Sequence, residues 1–166
     1  MSQTGIRIET PSDIDAIREV NRVAFANHPF SRGTEPLIVD ALRTDGALVI
    51  SLVAVLDGEL VGHVAFSPAS VGDDSSGWYL LGPLAVLPPY RGRGIGSTLV
   101  EAGLGELTRL GALGCVLVGD PGYYGRFGFA AAPGLTYEGV PDSHVLIRAS
   151  ALDVRVGPIR AHVAFL

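Results

Sequence analysis

Leu84-Ala-Val-Leu-Pro-Pro-Tyr-Arg-Gly-Arg-Gly-Ile-Gly-Ser-Thr-Leu-Val100 reads as an apolar strand that runs into a tight glycine-rich turn and then opens an amphipathic helix. A turn of this kind leaves backbone N–H groups without an intrahelical partner at a helix N-terminus. Those donors, with the helix dipole, make an anion site suited to phosphate. Two familiar phosphate motifs do not fit. The dinucleotide pattern needs Gly-x-Gly-x-x-Gly soon after the first strand of a parallel unit, and the glycines at 92, 94 and 96 lack that spacing. No Gly-Lys-Ser/Thr is present, so the turn is not a P-loop.

Working outward, the elements on either side define the topology. Upstream, Ala47–Leu56 and Leu60–Phe66 flank Asp57-Gly58-Glu59, a strong hairpin signal. Gly72-Asp-Asp-Ser-Ser-Gly77 reads as a second turn and Trp78–Leu87 as a third strand, so a three-stranded antiparallel meander is expected. Pro83 lies inside that strand and cannot donate to a ladder, which implies a bulge or a missing neighbour. Downstream, the helix runs from about Gly94 to Leu110 and Cys115–Val118 is the next strand. Strand, helix and strand in that order form a crossover, so the two strands should be parallel. Before the meander, Ile6–Glu9 reads as a strand and residues 13–26 as a helix capped by Ser12. A second helix begins at Thr34 and Pro36 after the loop Asn27–Gly33 and ends at Gly46. Asp120 is a plausible cap for a short helix over Tyr123–Phe127, which Gly128 ends. Val145–Arg148 and Pro158–Phe165 read as short strands and loops.

Composition sets the outer limits. At 166 residues, 48% apolar and 17% charged, the chain is expected to be one globular domain, residues 1–166. Asp45, Asp57 and Glu59 interrupt the hydrophobic middle, so no run approaches the ~20 residues that span a bilayer. No secretory signal is read at the start. The single Cys115 cannot form an internal disulfide and reads as a buried strand residue rather than a nucleophile. A cytoplasmic address follows by default. Net charge is −5 and all twelve cations are arginine, which argues against a nucleic-acid binder and mildly favours a cationic or neutral substrate. With no lysine, the chain has no internal amine side chain to acylate.

Arg91-x-x-Gly94-x-Gly96 resembles the Arg/Gln-x-x-Gly-x-Gly/Ala acyl-CoA signature of the GNAT acetyltransferase superfamily. The preceding Leu-Ala-Val-x-Pro-x-Tyr-Arg-Gly, the apolar helix after it, and Tyr123-Tyr-Gly-Arg-Phe-Gly-Phe129 downstream are similar to the family pattern too. The resemblance covers roughly three-quarters of the chain, from the first strand through Phe129. It implies an α/β (α+β) GNAT fold: a mixed, mostly antiparallel central sheet splayed at the acyl-CoA cleft, with helices on both faces.

It also implies that acetyl-CoA is the co-substrate. Backbone groups of Leu84, Ala85 and Val86 would pair with the pantetheine arm. The pyrophosphate would lie on Arg91, Gly92, Arg93, Gly94, Ile95, Gly96 and Ser97. The implied reaction is direct transfer of the acetyl group to a primary amine of a small molecule or peptide. Tyr124 aligns with the family tyrosine that protonates the departing thiolate; Tyr123 reads as packing. The family often places its base, a glutamate, near the meander, but Trp78–Leu87 holds no carboxylate. Glu35, His28 and His63 are the candidates left. No metal, nucleic-acid or membrane partner is implied. Family members commonly dimerise, so a homodimer through the tail after Gly134 stays open. Two other readings also stay open: a non-catalytic acyl-CoA-binding module, and transfer of another acyl chain or to a hydroxyl.

Overall fold

The computed structural model describes residues 4–29, 31–149 and 156–166. Phe30, in the loop read after the first helix, lies outside the described residues. The chain divides into two compact units, one running to Phe66 and including Gly82–Gly105, the other made of Ser67–Leu81 and Glu106–Leu166.

In the first unit, strand β1 (Thr4–Ile8) leads into helix α1 (Ile14–Phe25). The start of α1 differs from the expected Ser12 cap. A 3-10 turn over Pro11–Asp13 precedes it, and Asp13 accepts from the Thr10 N–H at 2.7 Å. Arg7 grips the same carboxylate at 2.7 and 3.0 Å. The capping box thus runs between Thr10 and Asp13, with Arg7 of β1 as a further partner that helical periodicity does not reveal. Helix α2 (Glu35–Thr44) follows, then β2 (Ile50–Leu56) and β3 (Glu59–Val71). Asp57 and Gly58, at φ 52° and 81°, make the hairpin turn as expected.

Register sorts this unit's side chains to two faces. β2 and β3 are antiparallel, pairing Val53 with His63, Ala54 with Gly62 and Ile50 with Phe66. Directly opposed residues share a face. Val53 packs with Ile17 of α1 and Val39 of α2 on one side. On the other, Gly62 lies under the residues that follow the glycine turn. A Cβ there would meet Leu99 Cδ1 at 3.0 Å and Ile95 Cγ2 at 3.3 Å. A Cβ on Gly103 would come within 2.2 Å of Phe66 Cε1. Ile95, Leu99 and Gly103, spaced by four, thus form the row by which helix α3 (Ile95–Arg109) seats on β3. Helices therefore cover both faces of the sheet.

In the second unit, β4 (Asp74–Val86) starts beside β5 (Gly114–Val118), and the pair is parallel over Trp78–Leu80 against Gly114–Val116. The crossover inference holds. β5 continues antiparallel against β7 (Val145–Ala149), and β8 (Gly157–Arg160) pairs with the end of β3 and with the short β6 (Leu135–Thr136). The sheet is mixed and mostly antiparallel, as read. Trp78, Leu80, Val116, Leu135, Val145 and Ile159 lie in one buried cluster.

Strand boundaries moved: β2 begins at Ile50 rather than Ala47. The turn expected over Gly72–Gly77 shrinks to Gly72 and Asp73, because β3 runs on to Val71 and β4 begins at Asp74. Ser70 and Val71 of β3 find partners in Arg160 and Ile159, a pairing about ninety positions distant that local pattern does not show. Asp74 opens the strand, and its carboxylate accepts from Trp78 Nε1 at 3.0 Å.

Candidate active site

The glycine turn closes in a specific way. Gly92 and Gly94 take φ values of 79° and 80°, left-handed backbone that other residues rarely adopt. A Cβ on either would meet open space, so what requires glycine is conformation and not crowding within the chain. Thr98 N–H bonds the Gly94 carbonyl at 3.0 Å, so the i−4 ladder of α3 starts there. The amides before it lie ahead of that ladder, where helix geometry provides no intrahelical acceptor.

Two arginines flank the turn and do different things. Arg93 lies over the Tyr90 ring, 5.3 Å from its centroid, and the Tyr90 hydroxyl donates to Glu59 at 2.9 Å. Arg91 folds back on the protein. Its Nη2 donates to the Ala24 carbonyl at 2.8 Å and its Nε to Val86 at 3.3 Å. Its backbone N–H donates to Pro88 at 3.3 Å. Before the turn, Ala85 is buried against Val20 and Ala24, while Leu84 and Val86 are half-buried.

The base candidates separate clearly. Glu35 opens α2 and accepts from Ser31 Oγ at 2.6 Å; Ser31 Oγ also accepts from Gly33 N–H at 2.9 Å. A carboxylate in the first turn of a helix is favoured by the dipole. The His28 ring lies 5.7 Å from Phe25. His63 is fully buried and engaged at both ring nitrogens. Asn21 Nδ2 donates to the Ile17 carbonyl at 3.0 Å and to His63 Nδ1 at 3.2 Å. Ser51 gives its hydroxyl proton to Glu9, so His63 Nε2–H donates to Ser51 Oγ at 2.9 Å. Burial lowers the His63 pKa to about 4, helped by Arg43 and opposed by Glu9. The neutral imidazole thus donates from Nε2 and accepts at Nδ1, with both nitrogens already hydrogen-bonded.

In the second unit, Asp120 caps α4 (Pro121–Tyr124) as read, accepting from Gly122 N–H at 2.9 Å. A 3-10 turn over Gly125–Phe127 continues to Gly128. Tyr124 lies edge-on to Tyr123 with centroids 4.9 Å apart and 6.1 Å from Phe129. Burial raises its pKa above the ordinary tyrosine value, with smaller contributions from Tyr123 and Cys115. No hydrogen bond to its hydroxyl is found among the described residues. Its ring rests on Gly119, where a Cβ would come within 2.5 Å of Tyr124 Cε2. Gly119 had read only as a turn residue; its spacing from Tyr124, a strand end followed by a capped short helix, was the available signal. Cys115 is buried with its thiol pushed up to about 12, so it stays protonated.

The family model described as "Acetyltransferase (GNAT) family" matches residues 14–129. The uncharacterized N-acetyltransferase YhbS of Escherichia coli K12 is 41% identical over 128 residues, 76% of this chain and 74% of that protein. Among solved structures, a GNAT family acetyltransferase from Brucella melitensis in complex with acetyl-CoA is 44% identical, with a TM-score of 0.88 and 98% of each chain covered. The crystal structure of YhbS from Escherichia coli in complex with CoA has a TM-score of 0.89, at 35% identity over 99% of this chain and 93% of that one. The turn, the sheet and these relatives together place the chain in the GNAT family of acetyltransferases, as an N-acetyltransferase.

Proposed function

We propose that the protein transfers an acetyl group from acetyl-CoA to a primary amine of a small molecule or peptide by direct attack. The observation that carries this reading is the left-handed Gly92 and Gly94 turn at the N-terminus of α3, where a Cβ on either glycine would meet nothing within 4 Å. Backbone amides there suit a pyrophosphate, and the CoA and acetyl-CoA bound to the two similar solved structures support that choice.

The residues that would hold the co-substrate are the backbones of Leu84, Ala85 and Val86 and the stretch Arg91–Ser97, with Arg93 adding charge. Bound there, acetyl-CoA supplies an activated thioester. Glu35 accepts the proton that the acceptor ammonium must lose to attack. Tyr124, kept protonated by its buried setting, gives its hydroxyl proton to the leaving sulfur and takes back the second proton of the attacking nitrogen as the amide forms. We also propose that residues 1–166 act as one acetyltransferase domain in the cytoplasm; the family match over 14–129 draws on both units.

The test is binding followed by turnover. Acetyl-CoA at ~100 Kd should stabilise the protein by about 2.7 kcal/mol, which is on the order of 5–10 °C in Tm for a chain of this size. No shift at millimolar acetyl-CoA overturns the co-substrate. Thiol release with at least one member of a small-molecule and peptide amine panel is expected; none, with binding intact, overturns the transfer.

A further inference from the structure

Arg91 sits at the head of the signature, and its side chain makes contacts that a phosphate ligand does not require. The guanidinium donates to Ala24 at 2.8 Å and to Val86 at 3.3 Å. Ala24 is the penultimate residue of α1, where helix carbonyls run out of intrahelical partners and a cation is favoured by the dipole. Val86 is the last residue of β4. One planar fork thus ties the end of α1 and the end of β4 to the start of the glycine turn. The contact is reinforced beneath by Val20 and Ala24 against Ala85, with Phe25 and Leu87 packed on them.

From Ala24 the chain continues directly into the segment that carries two base candidates. His28 N–H bonds the Phe25 carbonyl at 3.1 Å, Ser31 N–H bonds His28 at 3.2 Å, and Ser31 Oγ donates to Glu35 at 2.6 Å. Each link hangs on the one before it, and the first hangs on the last turn of α1.

We propose that Arg91 is a positioning residue that couples the glycine turn, through the end of α1, to His28, Ser31 and Glu35, so that filling the turn immobilises Glu35 and His28. The proposal rests on the acetyl-CoA reading above. Its chemistry differs from what the motif suggests: the Arg91 guanidinium is spent on carbonyls, so phosphate charge is left to the turn amides and Arg93. Lysine would not replace it, since an ammonium lacks the fork that spans two carbonyls.

Hydrogen exchange at the amides of His28, Ser31 and Gly33 tests this, with isothermal titration of acetyl-CoA and the β7 amides as a measure of global stability. In wild type, saturating acetyl-CoA should slow exchange of the three amides by about tenfold, the scale of one charge-assisted hydrogen bond. Arg91→Met, brought to saturation with acetyl-CoA, should lose that protection. Arg91→Gln, an alternative that the signature admits, keeps one short donor and should fall between; it also serves if Arg91→Met does not fold. Protection that persists in both variants overturns the coupling. A tenfold or greater loss of affinity with protection unchanged would mean that the guanidinium serves the phosphate instead. If wild type binds no acetyl-CoA, the co-substrate reading fails by itself. The ligand-free arm still decides the coupling: Arg91→Met should speed exchange at the three amides but not in β7, and unchanged exchange overturns it.

Discussion

Tyr124 shows how much of a residue's role is set by what its ring rests on. The sequence motif identifies the residue, but the raised pKa comes from burial on Gly119 and among Tyr123, Phe127 and Phe129. If its hydroxyl protonates the leaving thiolate, Tyr124→Phe should lower kcat by about 10–100-fold, the usual worth of a general acid. Acetyl-CoA affinity should stay unchanged. Turnover at the wild-type rate in a thiol-release assay would remove the acid role. His63 teaches the converse. As a lone histidine in a strand it was a legitimate base candidate, and only the partners on α1 and β2 show that both of its nitrogens are engaged.

At the scale of elements, α3 is placed by close approach. Ile95 and Leu99 lie over Gly62, and Gly103 lets the Phe66 ring touch the helix backbone. Helix propensity alone says that glycine to alanine in α3 stabilises by up to ~1 kcal/mol. The structure splits that expectation by position. At Gly105 a Cβ meets open space, so Gly105→Ala should stabilise by roughly 0.5–1 kcal/mol. At Gly103 the same change drives a methyl into Phe66 and should destabilise by about 1–3 kcal/mol. Urea midpoints of the two variants decide it; equal shifts would contradict the packing described. Periodicity found this helix from its apolar rows, but it cannot tell a glycine under a ring from one facing water.

For the whole molecule the relevant quantity is stability against pH. His63 titrates at about 4 when folded and near 6.5 when exposed, so between those values the unfolded chain binds the extra proton. Its contribution is complete above about pH 6.5 and drains away as pH falls through about 4, amounting to at most roughly 3 kcal/mol. Glu9 adds to the loss below its unfolded value. Burial pushes its pKa up, but hydrogen bonds from Arg43 and Ser51 and the Arg43 charge outweigh that and leave it lowered. Asp13, held by Arg7, moves the same way. Melting temperature should therefore fall from pH 7 to pH 4, and His63→Gln should flatten the part of that fall between pH 6.5 and 4. A profile that stays parallel to wild type would show that the histidine is not the cause.

By itself the sequence determined the order of elements, the parallel crossover, the hairpin at Asp57 and Gly58, the glycine turn, and the family those features belong to. All of these are local: they depend on periodicity, on turn chemistry and on spacing within about forty residues. The tertiary structure decided what depends on partners far along the chain. It extended β3 to meet β8, gave Asp13 its arginine, and closed His63 between Asn21 and Ser51. It also set the Arg91 guanidinium on the carbonyls of Ala24 and Val86. Each is a polar group or strand edge that must find a partner on folding. A linear pattern records the need for such a partner without recording which distant residue will meet it.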